Sequence, residues 1–120
     1  VRIGQGKFRK SLIDKFGHNC AFAGPTPAQA LEAAHLMSWS SLERHEEGGG
    51  LLLRRDLHRL FDLGLIAVDP TKLTLDLASS IKEFSQYSPL QGSPLRVLIS
   101  RREIKWLKRH WDEHREMTDV

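Results

Sequence analysis

The sequence predicts an α+β fold: one small domain whose core is a strand–loop–strand–helix unit, with an N-terminal helix, an added β-hairpin and a C-terminal helix around it. Three observations carry that prediction. Phe8, Leu12 and Phe16 recur at helical spacing near the start of the chain. Two brief apolar runs, Leu31–Leu36 and Leu51–Leu53, flank a polar stretch and lead into a short amphipathic block that stops at Gly64. Two alternating runs then face each other across Pro70-Thr71.

Taken in order, the first helix runs from about Gln5 to Phe16 and ends at Gly17. Gly24-Pro25-Thr26-Pro27 reads as a turn or loop. Leu31–Leu36 fits a strand or a helix by pattern alone; with a polar segment and a second apolar run behind it, it reads as a strand carrying His35. Residues 38–49 are polar, run into Gly48-Gly49-Gly50 and read as a mobile loop. Leu51–Leu53 is the second strand. Asp56 suits the N-cap and Gly64 the C′ position of a two-turn helix. Leu57, Leu60 and Phe61 are its apolar stripe, while His58 and Asp62, four apart, share a neighbouring face. Residues 64–69 and 72–77 form the hairpin, and 79–95, rich in Ser, Pro and Gly, read as irregular. From Ser100 to about Glu116 a helix is expected, with Ile104, Leu107 and Trp111 facing the core. Trp106 falls off that face and is left for a partner domain.

Bulk properties narrow the function classes. With 120 residues and 40% hydrophobic content, residues 1–120 suit a single domain with one modest core. No run approaches the roughly 18 apolar residues of a membrane span, and no signal-peptide pattern opens the chain, so no membrane partner and a cytoplasmic location are expected. Cys20 is alone, which excludes an intrachain disulfide and an ordinary Cys₄ or Cys₂His₂ zinc site; it is expected in the core. The net charge is +3. Its cations gather at the two ends, Arg2, Lys7, Arg9, Lys10 and Lys15 at one and residues 101–115 at the other, a distribution that suits phosphates as well as solvated helix faces. The opening Val1, in place of Met, is expected of a processed product or of a domain cut from something longer.

The centre of the chain holds groups suited to phosphodiester hydrolysis, which needs a base to activate water and a cation to stabilise charge on the phosphate and leaving oxygen. A neutral imidazole is a good base near pH 7, and a second imidazole with a carboxylate can hold the cation. His35 lies on one element and His58 with Asp62 on another, and a hairpin-like loop would bring the two together.

The wording of these segments resembles a known family. Leu31-Glu32-Ala33-Ala34-His35-Leu36, followed by Gly50-Leu51-Leu52-Leu53-Arg54-Arg55-Asp56-Leu57-His58-Arg59-Leu60-Phe61-Asp62-Leu63-Gly64-Leu65-Ile66, is similar to the HNH endonuclease branch with an EAAH…NGLLL…DIHxLFDxGLI signature. Arg2 to Arg9 resembles that branch's RxGQxxFR opening, Cys20-Ala21 its CA strand, and Tyr87 to Gly92 its YxxLxG. The resemblance implies a ββα-metal core at about 30–64 and a hydrolase that cuts DNA. It gives His35 the role of water-activating base, with a hydrogen-bonded core histidine as the plainer alternative. It makes His58 a metal ligand, the alternative being an exposed helix residue, and puts Asp62 where some HNH enzymes place a further metal or phosphate contact, the alternative being an ordinary surface carboxylate.

Departures from the pattern also carry expectations. Gly49 stands where the branch usually shows Asn, so no side-chain amide can orient the base there; His45 and Glu46 or Glu47 are candidates to compensate. Ala34 stands where many HNH enzymes carry a metal-binding Asp or His. Glu32, on the same strand face, is the candidate carboxylate, its alternative being a structural salt bridge. Arg54 and Arg55, before the metal-bearing helix, and Gln5 with Arg9, on one face of the first helix, are candidate DNA contacts of the phosphate-positioning kind.

The implied cofactor is one divalent ion, Mg²⁺ first, with Mn²⁺, Ni²⁺ and Zn²⁺ as alternatives. The implied partners are double-stranded DNA, a second copy of the chain as a homodimer, and an upstream DNA-recognition domain, as in restriction-type enzymes. Two other readings stand beside the nuclease: a catalytically impaired HNH-like DNA-binding module, and a toxin-type nuclease neutralised by an acidic partner.

Overall fold

A computed structural model describes residues 5–36 and 49–115 of the chain. Helix α1 (Gln5–Phe16) buries Phe8 and Leu12, as the apolar spacing requires. It stops at Gly17, whose positive φ of 73° lets its N–H reach back to Ile13 O. The stretch read as a turn at Gly24–Pro27 instead supplies a short strand. β1 (Asn19–Cys20) pairs antiparallel with β2 (Gly24–Pro25), and the three-residue turn between them drives Ala21 and Phe22 into the core.

β3 (Leu31–His35) and β4 (Gly50–Arg54) form the central antiparallel pair, in register from Leu31↔Arg54 to His35↔Gly50. Leu51, Leu52 and Leu53 are all at most 1% exposed. Such a run, without polar alternation, is what a strand covered on both faces needs, and α1, β1 and α2 all pack on β4. Of the loop expected at 38–49, only Gly49 falls among the described residues; it is buried and its carbonyl accepts the Leu36 N–H at 3.0 Å.

α2 (Arg55–Asp62) begins directly after β4, with no residue between. The N-cap is therefore Arg54, and the expected cap Asp56 lies one residue inside the helix. Gly64 does take the C′ position. At φ 77° its N–H donates to Phe61 O, and Leu65 N–H donates to Leu60 O, the paired bonds of a Schellman motif. The hairpin forms as expected from β5 (Ile66–Val68) and β6 (Leu75–Leu77), with Asp69 Oδ1 accepting the Thr71 and Lys72 N–H groups in the turn. Residues 79–95 are less irregular than expected. They contain a one-turn helix α3 (Ser79–Lys82), a 3-10 turn at Ser88–Leu90, and a bridge from Thr74 to Pro94.

α4 (Arg101–Arg115) packs on β5 but presents a different face from the one expected. Its fully buried residues are Glu103 and Leu107, with His110 stacked on Phe61 at 3.8 Å between ring centroids. Ile104 and Trp111 are only half-buried, and Trp111 lies under the Arg115 guanidinium. Trp106, also half-buried, lies between Lys105 and Arg109. The rotation follows from Glu103. Its carboxylate accepts Ser100 N–H at 2.9 Å, the glutamate half of a capping box, and also Ser100 Oγ–H at 2.7 Å and Lys15 Nζ at 3.1 Å. Burial pushes the Glu103 carboxyl up, but the bonds from Ser100 and Lys15 outweigh it and hold it below the usual range. The same contact ties α4 to α1.

Cys20 is fully buried, as expected, and its Sγ also accepts the backbone N–H groups of Ala23 and Arg54, each at 3.3 Å. No helix among the described residues is long and apolar enough to cross a membrane.

Candidate functional site

The antiparallel register of β3 with β4 delivers Glu32 opposite Leu53, two residues before α2 begins. Glu32 thereby reaches the first turns of that helix. Its Oε1 lies 2.8 Å from His58 Nδ1 and its Oε2 accepts Arg55 Nε–H at 2.9 Å. Asp62, one turn beyond His58, brings Oδ2 to 3.4 Å from His58 Nε2. Arg55, His58 and Asp62 are spaced i, i+3, i+7, one face of a helix, and Glu32 meets that face from the strand. A cleft of about 360 Å³ opens beside them, lined by Arg9, Leu31, Glu32, Ala33, Arg55 and His58.

Burial pushes the Glu32 carboxyl up, yet hydrogen bonds from His58 and Arg55 more than offset this and hold it below the ordinary carboxylate value. An ionised carboxylate only accepts, so Nδ1 of His58 carries the proton in this contact, and Nε2 is the nitrogen turned to Asp62. An imidazole nitrogen and a carboxylate oxygen at this spacing are of a chemistry that would suit one divalent cation. Glu32 addresses the opposite edge of the imidazole. In that position a carboxylate fixes the ring's orientation, the outer-shell arrangement common at metal-bound histidines. Among the described residues no three His, Cys, Asp or Glu side chains converge as a ready-made metal cage.

His35 ends β3 opposite Gly50 and is half-buried. Its imidazole stacks on the Phe8 ring of α1, 3.9 Å between centroids and 5° from parallel. Glu32 and His35, three apart on a strand, leave it on opposite faces.

The expected DNA contacts divide. Arg55 and Arg9 line the cleft, but both are also engaged within the chain. Arg55 is paired to Glu32, and Arg9 Nη2 donates to Ala28 O at 2.6 Å and Leu31 O at 3.5 Å. Arg54 is held away from the cleft lining by a two-pronged contact to Asp56, at 2.7 and 3.0 Å, and Tyr87 Oη–H donates to the same carboxylate at 2.9 Å. The Arg54 bond dominates in holding Asp56 below its usual range, against burial and with help from Tyr87. Gln5 is the first residue of α1; its side chain lies outside the described residues, as do His45, Glu46 and Glu47.

Sequence reasoning missed two participants. Phe8 is legible as a core residue, but nothing local marks it as the neighbour of His35, 27 positions away. Tyr87 sits 31 residues from Asp56; its only signal is its place in the YxxLxG resemblance.

Residues 20–69 match the HNH endonuclease family. The matched segment spans β1 to β5 and includes Glu32, His35, His58 and Asp62. A comparison with curated proteins finds no match. HNH nuclease domains act on DNA and generally use a divalent metal. With a paired β3–β4 unit feeding an imidazole-bearing helix and the family match laid over the same residues, the segment 20–69 belongs to the HNH endonuclease family.

Proposed function

We propose that the chain is a metal-dependent DNA endonuclease in which His35 activates water and His58, with Asp62, holds one divalent cation. The observation that carries the cation site is the convergence of two carboxylates on the two nitrogens of His58, within the segment that matches the nuclease family; the role of His35, on the other face of β3 from Glu32, rests on its place in the EAAH resemblance. When bound, the cation supplies charge stabilisation for the phosphate and the departing 3′-oxygen. Glu32 orients the His58 ring through Nδ1, which leaves Nε2 and Asp62 as the groups that would hold the cation. His35 takes a proton from the attacking water, a role open to a neutral imidazole near pH 7. Arg55 and Arg9, at the cleft, contact backbone phosphates and set the register of the duplex without reading its sequence. Arg54 serves the start of α2 through Asp56.

Mg²⁺ is the proposed ion, with Mn²⁺, Ni²⁺ and Zn²⁺ as substitutes. The duplex substrate and a restriction-type setting, with an upstream reader domain and cutting by a dimer, rest on the resemblance of residues 51–66 rather than on the geometry. Plasmid nicking across those four ions tests the reading. The wild-type chain should nick supercoiled DNA, while His35→Ala and His58→Ala should lose cleavage and keep duplex binding. Full nicking by His35→Ala would overturn the base assignment. Binding without cleavage by the wild type, under every ion, would leave a DNA-binding module.

A further inference from the structure

The apolar spacing that buries Phe8 also lays it against His35. A histidine ring has a broad χ2 torsion, so its plane is fixed by what touches its face and edges. Here the face is met by a flat, 6%-exposed phenyl ring, nearly parallel and 3.9 Å away between centroids. Two further features keep that ring in place. Gly50 is the β-partner of His35, and a side chain there would run into Phe8 Cζ and come within 2.7 Å of Ala34 O; its lack of a Cβ is what makes room for the phenyl ring. Arg9, the next residue, bonds Ala28 O and Leu31 O, which sets the rotation of α1 over the start of β3.

We propose that Phe8 is a positioning residue for His35, a flat platform seated on Gly50 that sets the plane in which the imidazole takes up a proton. The inference rests on the reading of His35 as the base. It explains why glycine stands directly across the strand pair from that histidine, and why α1, outside the matched segment, belongs to the working site.

Steady-state nicking by Phe8→Leu, with Leu12→Ala as control, tests it; Phe8→Met takes the place of Phe8→Leu if the latter does not fold. Leu12 is also buried, one turn along α1, so its truncation loosens the helix without removing the platform. Phe8→Leu should lower kcat by about 10- to 100-fold, the scale of a small misplacement of a reacting group, with KM for plasmid unchanged. Leu12→Ala should keep kcat wherever it is folded. Added imidazole should restore cleavage to His35→Ala but not to the double variant Phe8→Leu/His35→Ala. Unchanged kcat in the Phe8 variant, or equal rescue of single and double variants, would overturn the platform. Retained nicking by His35→Ala would instead sink the base assignment beneath it, so the two failures are told apart.

Discussion

Replacing Glu103 by Gln is the sharpest test of how the helices are held together. The carboxylate is fully buried and accepts three hydrogens, two from Ser100 and one from the Lys15 ammonium. An amide of the same shape keeps one acceptor oxygen and turns the other position into a donor facing donors. At least one charge-assisted bond is lost, at about 1.5–3 kcal/mol, and Lys15 loses its counter-charge. Because Lys15 is 40% exposed, its share is the smaller one, and about 2 kcal/mol is expected in all. With a urea slope of about 1.5 kcal/mol per molar, the midpoint should fall by roughly 1.3 M with the slope unchanged. The pH dependence supplies the second check. The Glu103 carboxyl is held below its unfolded value, so its contribution is full above the ordinary Glu range near about 4.3 and is lost as pH falls through the lowered native value. The gap between wild type and variant should therefore be widest near neutrality and narrow in acid. A variant within about 0.5 kcal/mol of wild type at pH 7, the range of a neutral surface change, would refute the reasoning.

Gly64→Ala should be severe for its size. A left-handed φ costs an alanine about 1–2 kcal/mol, and the new methyl would run into the His114 ring, so a fall of at least about 2 kcal/mol is expected by thermal or urea unfolding. His110→Phe should be nearly neutral at pH 7.5. It keeps the stack on Phe61, gives up one bond to a carbonyl that Gly64 N–H also satisfies, and removes a buried Nδ1 that lacks a partner among the described residues. Burial holds the His110 imidazole below its ordinary value, so wild type loses stability as pH falls below about 6.5. The phenyl variant should therefore be the more stable of the two at pH 5, and equal acid sensitivity in both would count against that account.

The elements that were legible in the sequence are those whose signal is local. Phe8, Leu12 and Phe16 announce α1 by spacing alone, and Gly64 announces the end of α2 because only a residue free of a Cβ takes φ 77° without strain. The pair His58 and Asp62 is equally local, four apart on one helix. The N-cap of α2 falls two residues earlier than Asp56 suggests, because a strand that turns into a helix without a linker leaves no place for a separate cap. The inner face of α4 was hidden for a different reason. Glu103 and His110 are polar types whose burial depends on Lys15 and Phe61, partners 88 and 49 positions away. Within the site, the contact of Glu32 with His58 spans 26 positions and follows from the strand register, which the hydrophobic pattern of β3 does not specify by itself.

The direct passage from β4 into α2 makes the site a matter of rotational phase. Each helical residue turns the axis by about 100°, and with Arg54 pinned through its N–H to Cys20 Sγ and its guanidinium to Asp56, no slack lies between strand and helix. One residue inserted after Arg54 would leave every side chain present and the helix intact, yet swing His58 by more than a quarter turn from Glu32. What the chain must preserve across this joint is thus a count of residues as much as their kind.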